Sequence, residues 1–205
     1  MDGLRGPLRA VVRFAASVLM VSGALLVLVA VVTLLWQEPV SSSIAQGRQS
    51  DLEEELGKLA ESKAGAMRGG ENGRALGRIS MPTLGRSYVV VEGVGRIALH
   101  SGPGHYPDTA LPGRGKTVAI AGHRTTYLAP FRTIDRLGPG DPVILDMPYG
   151  RFVYRVEDTR IVPPTETEVK RDVGYDRLVL TACHPLYSAK SRIVVFARLE
   201  GSGGA

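Results

Sequence analysis

The spacing of hydrophobic positions divides this chain into three stretches. Residues 14–36 are an uncharged, mostly apolar run of roughly 23 residues, long enough to cross a bilayer of about 30 Å as a helix. Residues 37–75 turn polar, with Ser41, Ser42, Ser43 and several glycines, and read as a stalk. One short helix is predicted inside it. Ser50 followed by Glu53 makes a capping box, Leu52, Leu56 and Leu59 share a face, and Gly65 can end the turn. A spacer or a partner contact is its simplest role.

From residue 76 the apolar residues come in short alternating runs between glycines and prolines. Ile79, residues 88–91 and residues 97–99 are strand-like pieces broken by Pro82, Gly85, Gly93 and Gly95. A turn-rich loop, SGPGHYPDTALPGRGK, leads into the strand TVAIA at 117–121, which ends in Gly122-His123-Arg124. Strands are predicted at 142–146 and 151–156 around Pro148-Tyr149-Gly150, and at 160–162 before Pro163-Pro164. In 178–183 the side chains alternate, with Leu178, Leu180 and Ala182 on one face and Val179, Thr181 and Cys183 on the other. In 192–199, Ile193, Val195, Ala197 and Leu199 share a face. About eight short strands with little helix predict an all-β barrel or sandwich. Residues 201–205 read as a flexible tail.

The last two strands carry the only cysteine, Cys183, and an arginine, Arg192. Their connection of roughly eight residues is too short for a parallel crossover and predicts an antiparallel pair. Cys183 and Arg192 then stand together at the mouth of the hairpin. A guanidinium beside a thiol favours the thiolate and can stabilise an oxyanion.

Charge changes the picture at the N-terminus. Arg5, Arg9 and Arg13 precede the apolar run, whereas Glu38, Asp51, Glu53, Glu54 and Glu55 follow it. By the positive-inside rule residues 1–13 stay cytoplasmic, residues 14–36 span the membrane with Trp36 at the far interface, and the rest lies outside. A cleaved signal peptide with Ser43-Ile44-Ala45 as its site competes, but the apolar run exceeds a usual signal core, which points to a retained anchor. The net charge of +5 is modest and no basic run interleaves with aromatics, so nucleic-acid binding is not indicated. One cysteine excludes an internal disulfide and any multi-cysteine metal site.

Nucleophilic cysteine catalysis needs a thiolate, an imidazole to move protons and a stabiliser for the tetrahedral oxyanion. His100, His105, His123 and His184 are the available imidazoles. His184, adjacent to Cys183, points to the opposite face of an extended backbone. His105 lies in a Gly/Pro loop, substrate-facing or merely exposed. His123 follows a strand and a glycine, where a rigid scaffold presents a functional side chain. The bland alternative is a lone cysteine buried in the core.

The segment LTACHP followed by Arg192 and an apolar strand resembles the cysteine motif of sortases, the membrane-anchored cysteine transpeptidases of Gram-positive bacteria. The resemblance extends over GPGHYPDTALPG, TVAIAGHRTTYLAPF, Gly140-Asp141 and Tyr154-Arg155-Val156, and covers nearly all of the expected catalytic domain, residues 76–200. His-Pro after the cysteine, with GHRTTY, is most similar to the actinobacterial class E members. It implies an eight-stranded sortase-like β-barrel with short helices behind a single transmembrane helix and a polar stalk. It further implies that Cys183 attacks a peptide carbonyl, His123 serves as general acid and base, and Arg192 holds the oxyanion or substrate backbone. The expected reaction cuts a Leu-Pro-x-Thr-Gly or Leu-Ala-x-Thr-Gly signal after threonine, and an amine of a cell-wall precursor or a pilin lysine resolves the thioacyl-enzyme. The family pattern Thr-Leu-x-Thr-Cys reads Val179-Leu180-Thr181-Ala182-Cys183 here, so a hydroxyl is missing before the expected nucleophile. Thr181, Ala182, His105 and Tyr127 are the expected substrate contacts. The acidic pattern of a calcium-activated sortase is not recognisable, and neither metal nor cofactor is expected. A thiol hydrolase of the same fold and an inactive surface β-barrel binding module are the competing functions.

Overall fold

The computed structural model describes residues 5–35, 39–61 and 71–203. It divides into two compact units, Met1–Pro39 and Val40–Ala205. In the first, helix α1 (Arg5–Leu35) contains Val11–Thr33, long and apolar enough to cross a membrane and unburied by protein. Trp36 and the proposed stop at Gly65 lie outside the described residues.

The second unit is a closed barrel. Its strands are β1 (Ala75–Met81), β2 (Arg86–Glu92), β3 (Gly104–His105), β4 (Thr117–Ala121), β5 (Pro142–Met147), β6 (Gly150–Val162), β7 (Arg177–His184) and β8 (Ser191–Gly203). They run around the barrel in the order β1-β2-β3-β4-β7-β8-β6-β5, and β5 pairs with β1 to close it. The expected eight-stranded barrel is the observed one. Inward residues of the alternating runs, among them Val118, Ile120, Leu178, Leu180, Ala182, Ile193, Val195 and Ala197, fill the barrel with Phe131, Ile134 and Tyr154. Closure removes the sheet edges that alternation alone would leave open.

Several boundaries differ from expectation. Residues 97–99 belong to a short helix, α3 (Arg96–Leu99), in which Ala98 is buried and Ile97 faces solvent. Residues 160–162 are no separate strand, because bulges after Val153 and Val156 let β6 follow β8 without interruption. Residues 201–203 of the expected tail extend β8, with Gly203 opposite Arg151, and residues 204–205 lie outside the described residues.

The expected short stalk helix is longer and docked. Helix α2 (Pro39–Glu61) passes straight through Ser50, whose hydroxyl donates to the Gln46 carbonyl one turn back instead of capping an end. Leu52 packs with Ala75, Val89, Val91 and Ala98, and Leu56 and Leu59 extend the contact. The Gln49 amide donates to the Val89 and Ser101 carbonyls at 3.1 and 2.7 Å, and its oxygen accepts from Val89 N–H at 2.8 Å. That side chain serves the part of β2 that lies beyond its two residues paired with β3. Glu55 with Arg74 and Glu53 with Arg78 add surface ion pairs.

Candidate active site

Strand β7 delivers Cys183, and its two neighbours deliver the other two groups. In the antiparallel β7–β8 pair, Cys183 stands opposite Arg192, so their side chains share a face. In the parallel β4–β7 pair, Ala121 stands beside Thr181, and Gly122 N–H donates to the Thr181 carbonyl at 3.0 Å. Counting two residues further on each chain brings His123 alongside Cys183, on the same face. That face is the outer wall of the barrel. Beneath it lie the inward residues of β4, β7 and β8, so the site rests on packed core.

His123, Cys183 and Arg192 line one cleft of about 220 Å³ with Tyr106, Thr181 and Leu99. The His123 ring is half-buried, and its Nε2 is fully covered with no hydrogen-bond partner among the described residues. Burial, and secondarily the positive charge available to His100, hold its protonation below the ordinary imidazole range. Both causes favour the neutral form of the ring. Arg192 donates to the carbonyls of Ala189 and Ser191, both at 3.1 Å, which ties its guanidinium to the β7–β8 connection.

Gly122 is required by close approach. A Cβ there would lie 2.5 Å from the Phe131 ring, and Phe131 N–H donates to the His123 carbonyl at 3.0 Å. The turn after His123 holds Tyr127, Leu128 and Ala129 at φ of 48°, 67° and 43°, each costing roughly 1–2 kcal/mol for a residue with a Cβ. It brings the Tyr127 ring to 5.3 Å from His123, stacked at 3.8 Å on His100. His100 lies 6.4 Å from His123 between ring centres. Burial, then Arg96 and Arg48, lower its protonation too.

Other expected contacts fare differently. Thr181 lines the cleft, its hydroxyl hydrogen-bonded to Tyr106 Oη at 3.0 Å. Ala182 is 3% exposed and belongs to the barrel core, touching the cleft only at its base. A side chain there acts on packing, because the residue before the outward Cys183 points inward. His105 is corrected outright. It sits on β3 only 4% exposed, with Nδ1 at 3.1 Å from the Glu92 carboxylate and Nε2 at 3.0 Å from the Ala110 carbonyl. Its loop composition concealed two paired residues that bridge β2 and β4.

Sequence reasoning missed Tyr106 and Arg124. Tyr106 borders both the Cys183 cleft and a second one, also about 220 Å³, lined by Val162, Val169, Lys170, Thr181, Arg192 and Val194. Lys170 lies 4.3 Å above its ring. Extending the strand alternation through His105 would have put Tyr106 on the outer face. Val169 of the second cleft is tied by Arg177, which donates to the carbonyls of Val169 and Arg171 at 3.0 and 2.7 Å and lies 5.3 Å from the Phe196 ring centre. Among the described residues no group of three or more His, Cys, Asp or Glu could hold a metal ion.

Residues 79–200, more than half of the chain, match the sortase domain. The chain belongs to the sortase family. Sortases are cysteine transpeptidases, and class E members stand among its relatives. Sortase D of Bacillus subtilis (strain 168) is 30% identical over 132 residues, covering 62% of this chain and 65% of that protein. Sortase SrtE1 of Streptomyces coelicolor is 26% identical over 205 residues, 91% of this chain and 56% of that protein. The chain thus spans less than two thirds of the length of these two relatives. Sortase E from Streptomyces avermitilis is a structural neighbour with a TM-score of 0.60 and 32% identity, covering 66% of this chain and 93% of that one. A structure of sortase E1 from Streptomyces coelicolor carries a tripeptide in its active site; its TM-score is 0.62 at 27% identity, over 64% of this chain and 91% of that one.

Proposed function

We propose that this sortase is a membrane-anchored transpeptidase that cuts a C-terminal Leu-Pro-x-Thr-Gly or Leu-Ala-x-Thr-Gly signal between threonine and glycine. The reading is carried by one observation: β7 meets β4 in parallel register and β8 in antiparallel register, so a thiol, an imidazole and a guanidinium converge on one cleft. Cys183 attacks the threonine carbonyl while His123 takes the thiol proton and returns it to the departing glycine amine. Arg192 holds the oxyanion or the adjacent peptide backbone. The thioacyl-enzyme is then opened by an amine of a peptidoglycan precursor or a pilin lysine, and the held amine outcompetes water by effective concentration.

The second cleft joins the first through Tyr106, Thr181 and Arg192, and together they suit an extended peptide leading to Cys183. In this reading Tyr106 and Thr181 form the wall against the signal, and Tyr127 closes the histidine side. Residues 76–200 are the catalytic domain, residues 37–75 link it to the anchor at 14–36, and residues 1–13 are cytoplasmic. Helix α1 supports anchoring by its length and apolarity.

The test mixes the full chain in detergent with either signal peptide, with and without a glycine or diaminopimelate-like amine, and follows products by mass spectrometry. Amine-linked product that disappears in Cys183→Ala supports the transpeptidase. Cleavage without transfer identifies a thiol hydrolase. No thioacyl adduct, with an unreactive Cys183, identifies a binding module.

A further inference from the structure

The register that brings His123 beside Cys183 also brings the next residues together, Arg124 beside His184. By alternation this second pair lies on the opposite side of the two backbones from the first. There Arg124 Nη1 stands 3.2 Å from His184 Nδ1. A guanidinium only donates, so His184 accepts at Nδ1 and carries its proton on Nε2. The other guanidinium nitrogens are occupied. Nη2 donates to Asp135 Oδ1 at 2.6 Å and to the Arg132 carbonyl at 3.1 Å, and Nε reaches the same carbonyl at 3.3 Å. Arg124 is 3% exposed.

The arrangement spans a gap in the backbone ladder. Pairing of β4 with β7 ends at Ala121 and Thr181, two residues before His123 and Cys183. Past that point the His123 carbonyl turns away to Phe131. The segment that receives it also supplies the Arg132 carbonyl and Asp135, and is rooted in the core by Phe131 and Ile134. Arg124 thus ties that segment, the His123 turn and the end of β7 to one rigid fork.

We propose that Arg124 and His184 form a latch behind the active site, a pair of positioning residues that fixes the distance and orientation of His123 relative to Cys183. The proposal rests on the reading of those two as the reacting groups. Neither latch residue touches substrate. Their effect is on spacing, where small displacements of reacting atoms are costly.

The experiment uses the full chain in detergent with the variants His184→Ala, His184→Asn and Arg124→Lys. Asparagine places an amide oxygen near the position of Nδ1 and can accept from Arg124. Lysine keeps a charge for Asp135 but lacks the planar fork that serves several acceptors at once. In His184→Ala and Arg124→Lys, kcat for peptide transfer falls about tenfold or more with KM changed less than about twofold, and His184→Asn recovers most of it. The pH profile of Cys183 alkylation by iodoacetamide is displaced in the first two variants and restored in the third. Thermal melting confirms that each variant is folded, and if one of the first two fails to fold the other decides. Wild-type kcat and alkylation profile in His184→Ala or Arg124→Lys overturn the latch, as does an asparagine variant no better than alanine. If the wild type transfers no peptide, the proposed function falls, and the alkylation profiles alone decide the latch.

Discussion

Two histidines, one on β3 and one just past β4, live in opposite conditions. His105 has both ring nitrogens occupied, by Glu92 and by the Ala110 carbonyl, and Thr109 Oγ1 sits 3.2 Å from Nε2 as well. His123 has a covered Nε2 with no partner among the described residues, and it borders a cleft that holds a thiol. The first is a joint between strands. The second is an unspent donor or acceptor, which in a packed protein is held at a cost, and it sits beside a thiol. A buried polar residue is thus informative through what its atoms lack.

The sharpest way to break this contrast is to remove each ring. His123→Gln should lower kcat/KM for peptide transfer by about 10²–10⁴ while leaving the thermal midpoint nearly unchanged. His105→Ala should do the reverse. Glu92 would be left buried without its hydrogen-bond partner, at a cost of about 1–3 kcal/mol, while transfer per folded molecule stays near wild type. Equal activity losses in both variants would erase the distinction.

A smaller effect concerns pH. Burial and His100 lower the protonation of His123, so the acid limb of kcat/KM should fall below about pH 6.5, the value of a free imidazole. His100→Gln removes the secondary cause and should move that limb upward while leaving it below the free value, since burial remains. Stability has a matching sign. The unfolded chain binds protons at positions 100 and 123 more readily than the folded one, so stability rises with pH through the window below about 6.5 and is lost on acidification. Chemical denaturation at several pH values reads this directly.

The smallest effect tests whether every orphaned polar atom signals function. Tyr154 is fully buried in the barrel with no partner for its hydroxyl among the described residues, and burial raises its ionisation far above the usual range. Tyr154→Phe should be neutral or stabilise by up to about 1 kcal/mol, with transfer unchanged. It lies inside the core, away from both clefts, so a loss of activity would weaken the contrast.

The sequence was most legible where period-two alternation is strict. Leu178-Leu180-Ala182 against Val179-Thr181-Cys183 identified the inner and outer faces of β7, and the short connection to Arg192 implied the antiparallel hairpin. What stayed hidden was non-local or lay in turn-rich composition. The parallel pairing of β4 with β7 joins residues 60 positions apart (181 − 121), and no local pattern announces it. His105 occupies a two-residue strand inside a Gly/Pro loop, too short to alternate. Ser50 carried a valid capping pattern that an uninterrupted helix overrode, because α2 gains more from docking Leu52 and Gln49 on the barrel than from starting at a cap.

The shared register of β4 and β7 has a further consequence: the active site has a reading frame. His123 and Cys183 meet because each follows its last paired residue by the same count. One residue inserted between Ala121 and His123 would turn the imidazole to the opposite face and present a neighbour in its place. Two would restore the face but carry the ring about 7 Å past the sulfur. Lengthening the connection between β6 and β7 at the exposed Gly174, beyond the cleft residues Val169 and Lys170, by the same amounts leaves the count intact. An insertion series at both places, read by peptide transfer, should therefore show activity that tolerates length in the loop and none in the two short stretches that count to Cys183 and His123.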